Sequence, residues 1–213
     1  MVEEISNQTR QFLQSMTAHE ITDWSPFENI VELKKLKKNE HFFRYPQVCE
    51  DVAIIKTGLV RLYFISEEGE EKTFSFIAEN SFVVDFFLSG EQKSGAKLSV
   101  QAIEPTEIYT FSYERFVDMM KADPVWRDIY QSVLSKSYIL KTKRVMEFVQ
   151  FNAKQRLKRF LNNKKVHIHR IPKAYLASYL GIRPPSLSRI LKEMKQEPYQ
   201  EIKEGINQQV EGA

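Results

Sequence analysis

The chain has 213 residues, 42% of them hydrophobic and 28% charged, with a formal net charge of +3. That length supports one large domain or two small ones. The single cysteine, Cys49, excludes a disulfide framework or a four-cysteine metal cluster within the chain. The opening segment Met1–Ile5 is acidic and lacks the basic start and apolar core of a signal peptide. No run of about 18 apolar residues is present to cross a bilayer, and the longest candidate, 82–88, is interrupted by Asp85. These features predict a cytoplasmic protein without a membrane role.

Charge is unevenly spread. Residues 1–140 hold 15 Lys+Arg and 22 Asp+Glu, a net of −7. Residues 141–195 hold 15 Lys+Arg against only Glu147 and Glu193, a net of +13, and the tail 196–213 carries −3. A basic block of this kind is the electrostatic footprint of a nucleic-acid partner. A solvated basic face, or attraction to an anionic membrane surface, is the alternative.

In chain order, residues 5–16 read as a short amphipathic helix, and Asp23-Trp24-Ser25-Pro26 as a turn. From about Ile30 the period changes. Phe42-Phe43, 52–55, 59–65, 73–77, 98–103 and 107–111 are short β-branched and aromatic runs. Turn signals such as Tyr45-Pro46, Thr57-Gly58 and Glu67-Glu68-Gly69 separate them. Many short strands at this spacing predict a β-sandwich or barrel. Near Ser112 the period reverts to helical. Asp123-Pro124 opens a helix free of Gly and Pro to about Gln150, well beyond the usual helix length. Trp126, Ile129, Tyr130, Val133, Leu140 and Phe148 lie on or near one face of it. That face reads as a dimer interface with an imperfect heptad; the other reading is that it only packs on the β domain. Asn152 is placed to cap a following helix containing Leu157, Phe160 and Leu161, and 164–170 reads as a short basic strand.

The segment 171–192 reads as a helix-turn-helix. Leu176, Ala177 and Leu180 give a first helix its apolar face, and Gly181 follows where the chain must turn. Pro184 and Pro185 suit the first positions of a second helix, which Leu187, Ile190 and Leu191 bury. Ser186, Ser188, Arg189 and Lys192 are left outward, the hydroxyls and cations a major groove requires. An ordinary helical hairpin is the competing reading. Arg189 is the candidate for a bidentate guanine contact, and Arg183 for a base edge or phosphate. Ser186 and Ser188 would give weaker readout. Lys173, Tyr175 and Lys192 are candidates for backbone contacts, which position without specifying.

This order of elements resembles the Crp/Fnr family of transcription regulators over nearly the whole chain. The resemblance is carried by Lys56-Thr57-Gly58-Leu59-Val60-Arg61-Leu62, by Tyr175–Ile182, and by Ser186-Leu187-Ser188-Arg189. It implies an α+β fold: an N-terminal antiparallel β-roll, jelly-roll-like with flanking helices, then a long dimerisation helix and a C-terminal winged-helix-like helix-turn-helix. The boundaries expected are 1–122 for the sensor roll, 123–150 for the long helix and 151–213 for the DNA-binding domain. The tail after Glu197-Pro198 lacks a convincing wing hairpin. The implied partners are double-stranded DNA and a second copy of the chain, with RNA polymerase and an unidentified small-molecule effector as candidates.

The family's sensor chemistry does not carry over. Cyclic-nucleotide-binding members hold the ribose with Glu in a Gly-Glu pair and the cyclic phosphate with Arg. Here Val84 and Asp85 fall at the first pair, and Ala96 at the Arg, with Lys97 one place off. A lysine is a poor substitute for a guanidinium fork. These four residues are the effector-pocket candidates, and they predict weak or absent cyclic-nucleotide binding. An iron–sulfur sensor needs more cysteines than Cys49 alone. His41 reads as a strand residue rather than a haem ligand. His167 and His169 share a face but lack a third ligand, so neither a metal nor another cofactor is expected. Two other classes remain in view: a cupin-type β-roll metalloenzyme, which needs several histidines inside the barrel, and a ligand-binding regulatory module without a DNA role, which leaves the +13 block unexplained. No catalytic residues are assigned. The recognition helix departs from the family's Arg-Glu-x-x-x-Arg pattern, with prolines at the first two places, so the operator must differ from the familiar one. Activation and repression are not distinguished by the sequence.

Overall fold

The computed structural model describes residues 4–47, 49–83, 98–162 and 166–196. Among the described residues the β runs form eight strands in two four-stranded antiparallel sheets. In the first sheet, β1 (Glu32–Leu36), β8 (Thr106–Ser112), β3 (Asp51–Thr57) and β6 (Phe82–Val83) lie in that order. In the second the order is β2 (His41–Phe43), β7 (Leu98–Ala102), β4 (Leu59–Ile65) and β5 (Glu71–Ala78). β1 has no alternating apolar signal, since Glu32-Leu33-Lys34-Lys35-Leu36 reads as polar; its pairing with β8, from Glu32↔Thr110 to Leu36↔Thr106, makes it a strand. Leu36, Phe43, Ala53, Ile55, Val60, Val100, Ala102 and Ile108 form the apolar cluster that the sheets share.

β3 and β4 are joined through Gly58 at φ +102°, a conformation side chains rarely adopt. A Cβ there would lie 2.5 Å from Thr106 Oγ1 and 2.8 Å from the Pro105 carbonyl oxygen, leaving no room on the backbone side. Gly58→Ala is expected to cost about 2–3 kcal/mol, combining backbone strain with overpacking. A urea titration checks it; an unchanged midpoint would show that the hairpin shifts to make room.

Three helices flank the first sheet: α1 (Asn7–Gln14), α2 (Ser25–Glu28) and α3 (Tyr113–Ala122). The Ser6 hydroxyl caps α1 by accepting from the Thr9 N–H. Asp123 caps the 27-residue α4 (Pro124–Gln150), accepting from the Val125 N–H at 2.9 Å. Asn152 and Gln155 form the reciprocal capping box that starts α5 (Ala153–Leu161). In the described part of the basic stretch expected as a strand, Ile168–Arg170 is instead a single 3₁₀ turn, so His167 and His169 do not share a strand face. α6 (Lys173–Tyr179) and α7 (Pro184–Gln196) complete the described chain.

The first half of α4 corrects an expectation. Trp126, Ile129 and Val133 are buried in the chain's own core, with Trp24, Phe27 and Phe116 against Trp126. They leave no surface for a partner, so this face packs on the β-roll. Tyr130 is half-buried, and its hydroxyl lies 3.1 Å from that of Tyr113. Of the six residues expected on that face only Leu140, at 67%, and Phe148, at 43%, are exposed. At 3.6 residues per turn Leu140 lies roughly 200° around the helix from Tyr138.

Candidate nucleic-acid interface

α6 ends in a Schellman closure. The Ile182 N–H donates to the Ala177 carbonyl and the Gly181 N–H to the Ser178 carbonyl, both at 3.0 Å, with Gly181 at φ +68°. The closure turns the chain directly into α7. Leu187 and Ile190 then face inward onto Leu176, Ala177 and Leu180 in one buried cluster. The two helices are thus joined by a tight turn at Gly181 and share one apolar cluster.

The outward side of α7 is as expected in most respects. Arg183, Ser188, Arg189 and Lys192 are exposed, and Ser186 is half-buried. Among the described residues Arg189 pairs with Glu193 at a long 3.9 Å on the same exposed face, a weak contact that leaves its guanidinium able to exchange partners. The Ser188 hydroxyl instead donates to the Pro184 carbonyl at 3.2 Å, so part of its capacity is spent within the helix. Lys173 is exposed on α6, whereas Tyr175 is half-buried beneath the Arg61 guanidinium, whose carbon lies 3.6 Å from its ring centroid. The structure thus brings five of the seven expected DNA contacts onto open surface, leaves Ser186 half-buried and sets Tyr175 against the β-roll.

The +13 block contains cations that hold the fold together. Arg144 on α4 donates to the Tyr179 carbonyl and stacks on the Tyr179 ring at 3.6 Å. Arg156 donates to the Leu180 carbonyl at 2.8 Å. These two guanidiniums satisfy the last carbonyls of α6, where the helix dipole is negative. Burial lowers the pKa of both, Arg144 the more deeply seated. Arg159 pairs with Glu147 at 3.2 Å, and Arg170 grips Glu79 and Glu104 of the β-roll. Charge counting did not separate these from DNA-facing cations, because a guanidinium under a helix end has the same sequence signature as one at a phosphate. Arg61 did carry a signal: an arginine between Val60 and Leu62 in an apolar strand is buried only with partners.

The Arg170 contact has a pH consequence. Burial pushes the Glu79 carboxyl up, but hydrogen bonds from Arg170 and from the Gly58 N–H outweigh it and hold the group below its ordinary 4.5. A depressed carboxyl contributes stability above its ordinary pKa, and that contribution is lost as pH falls through the folded value. The thermal midpoint should therefore fall on acidification below about pH 4.5, and Glu79→Gln should flatten that limb. An identical acid limb in the variant would remove Glu79 from the cause.

Val84, Asp85, Ala96 and Lys97, the effector-pocket candidates, lie outside the described residues, as does the tail after Gln196. His41 sits on β2 with its Nε2 2.9 Å from the Tyr63 hydroxyl, and burial lowers its pKa. Among the described residues no group of three or more His, Cys, Asp or Glu is placed to hold a metal. No helix among them is long and apolar enough to cross a membrane.

Comparison with known proteins agrees with this geometry. Residues 33–123 match the family model of the cyclic nucleotide-binding domain. The chain is 22% identical over 188 residues to the transcriptional activator protein Anr of Pseudomonas protegens, covering 83% of this chain and 76% of that protein. It is 22% identical over 176 residues to the fumarate and nitrate reduction regulatory protein of Vibrio cholerae, covering 77% and 69%. Among solved structures, FixK2 from Bradyrhizobium japonicum superposes with a TM-score of 0.68 at 17% identity, over 78% of this chain and 85% of that one. A CooA mutant from Carboxydothermus hydrogenoformans gives 0.67 at 18%, over 91% and 87%. At these identities the structures speak to the fold alone, and the two sequence relatives carry the names of a transcriptional activator and a regulatory protein. Residues 33–123 are thus similar to a cyclic nucleotide-binding domain, and the chain as a whole is similar to the named regulators.

Proposed function

We propose that this chain is a homodimeric, sequence-specific DNA-binding transcription regulator acting in the cytoplasm. The carrying observation is the exposed row Arg183, Ser188, Arg189 and Lys192 on a helix that follows a Schellman turn at Gly181. Each subunit would place α7 in one major groove, with half-sites one helical turn apart. Binding should weaken steeply with salt as counterions are released. The second half of α4 supplies the surface for a second copy. Leu134, Tyr138, Val145 and Val149 are all exposed there. They lie within roughly 60° of one another at 3.6 residues per turn. The effector is an unidentified small molecule, and replacement of the cassette's Arg by Ala96 argues against cyclic AMP.

Selection of random duplex DNA on the purified protein, with sequencing of the bound pool, tests this reading. A recovered palindrome is the expected result, and a pool without enriched sequence counts against it. On the recovered operator, Arg189→Ala should cost about 1–3 kcal/mol and relax discrimination at one base pair. A loss equal on all sequences would make Arg189 a phosphate contact instead.

A further inference from the structure

α6 rests on β5, where the Thr73 N–H donates to the Ser178 hydroxyl at 2.9 Å, but its C-terminal end is held by another element, the last turns of α4. Only Phe151 and Asn152 separate α4 from α5, and both are extended rather than helical, at φ −120° and −72°. A few residues at an element's end are where a chain pivots. Here the link is cross-braced. The Phe151 N–H donates to the Glu147 carbonyl at 3.2 Å, and the Arg156 guanidinium donates to the Phe151 carbonyl. Arg159 pairs with Glu147 at 3.2 Å across the link and lies over the Phe151 ring at 4.6 Å. Arg144 of α4 and Arg156 of α5 reach the same helix end, donating to the carbonyls of Tyr179 and Leu180 respectively. Both guanidinium carbons lie over the Phe148 ring, 4.4 and 4.5 Å from its centroid. That ring also fills the space beside Gly181, where a Cβ would lie 2.7 Å from it. The last two turns of α4 therefore touch the turn that aims α7.

Stability alone does not account for this choice of residues. Burial lowers the pKa of both arginines, and Arg144 Nη1 and Arg156 Nε are buried without a hydrogen-bond partner among the described residues. Desolvated cations contribute little net stability, and apolar residues of similar volume often fill such a space as well or better. What the guanidiniums add is direction, since a rigid planar fork bonded to a carbonyl and stacked on a ring holds one geometry. On the dimer reading that direction matters. The two α7 helices must meet grooves about 34 Å apart. A rotation of roughly 10° on a lever of about 17 Å, half that separation, moves a helix by about 3 Å, close to one base pair.

We propose that Arg144, Arg156 and Phe148 are positioning residues: they lock the α4–α5 link and the α6–α7 turn into one rigid joint, and so set the half-site spacing that the dimer accepts. The proposal rests on the homodimeric DNA-binding reading above. None of the three is an expected DNA contact, and the joint acts through α7 rather than by touching the duplex. A rigid joint matched to the operator maximises the effective concentration of the second half-site. A loose joint lowers that maximum and spreads it over other spacings.

The test compares the full chain, as wild type and as Arg144→Gln with Arg156→Gln, on three kinds of duplex. These are the selected palindrome, the same half-sites moved together or apart by one or two base pairs, and a single half-site. Wild type should bind the selected spacing on the order of tenfold more tightly than its neighbours. In the variant that preference should shrink to about twofold or move by a base pair, while the single-half-site affinity and the sedimentation of the dimer stay at their wild-type values. Equal weakening on every duplex, the single half-site included, would make the arginines merely structural. An unchanged spacing profile would overturn the joint alone. Failure of the selection, or a wild type that binds the palindrome as a monomer, would remove the DNA-binding dimer and the joint with it. If the double variant misfolds by circular dichroism, Arg144→Lys takes its place: it keeps the charge but not the planar fork, and the same outcomes count for and against.

Discussion

Replacing Trp126 by alanine should destabilise the protein by about 3–5 kcal/mol, the cost of emptying a large aromatic site in a core. Trp126 is 1% exposed. Its ring stacks on Phe27 at 5.3 Å and meets Trp24 and Phe116 edge-on at 6.2 and 6.4 Å. With Ile129 and Val133, one and two turns on, it clamps the first half of α4 to the first sheet and to α2 and α3. A denaturant titration should show a clearly lowered midpoint with an unchanged slope. A loss below about 1 kcal/mol, in the range of ordinary surface substitutions, would mean the helix is held elsewhere. Because the clamp fixes the direction in which the rest of α4 leaves the roll, the variant should also lose operator affinity after it is corrected for unfolded protein.

The second large effect is expected on the other half of the same helix. In the proposed homodimer, Tyr138→Glu combined with Val145→Glu places like charges against each other along the stripe of Leu134, Tyr138, Val145 and Val149. The protein should sediment as a monomer. Its affinity for a palindromic operator should fall roughly 10²–10⁴-fold, the advantage lost when two half-sites are no longer linked. Leu140→Glu is the control. Leu140 is equally open but lies on the side that leads from the β-roll towards Phe148 and the helix-turn-helix, so it should leave the dimer intact. Dissociation by Leu140→Glu and not by the stripe variant would move the interface to that side.

How much of this was legible beforehand differs from element to element, for physical reasons. Local chemistry determined the α6–α7 helix pair: a glycine forced to positive φ, two prolines that need no amide partner, and apolar residues at helical intervals leave one outward face. The caps Asp123 and Asn152 and the Thr57-Gly58 turn were fixed within a few residues in the same way. β1 was not legible, because a strand with Glu and Lys on both faces is made by its neighbour β8 rather than by its own pattern. Nor was the division of α4. Trp126, Ile129 and Val133 have the same spacing whether they meet a partner helix or their own sheet, and only the fold settles which. The basic block likewise named charges but not their targets. Arg144, Arg156 and Arg170 are spent on helix ends and on glutamates distant in sequence, and Tyr175 lies under an arginine more than a hundred residues before it. The sequence by itself determined which face of α7 points outward, because that depends on contacts one or two turns apart. Only the tertiary structure decided what that helix pair rests against, because the Ser178, Tyr175 and Arg170 contacts join segments with no local signal linking them.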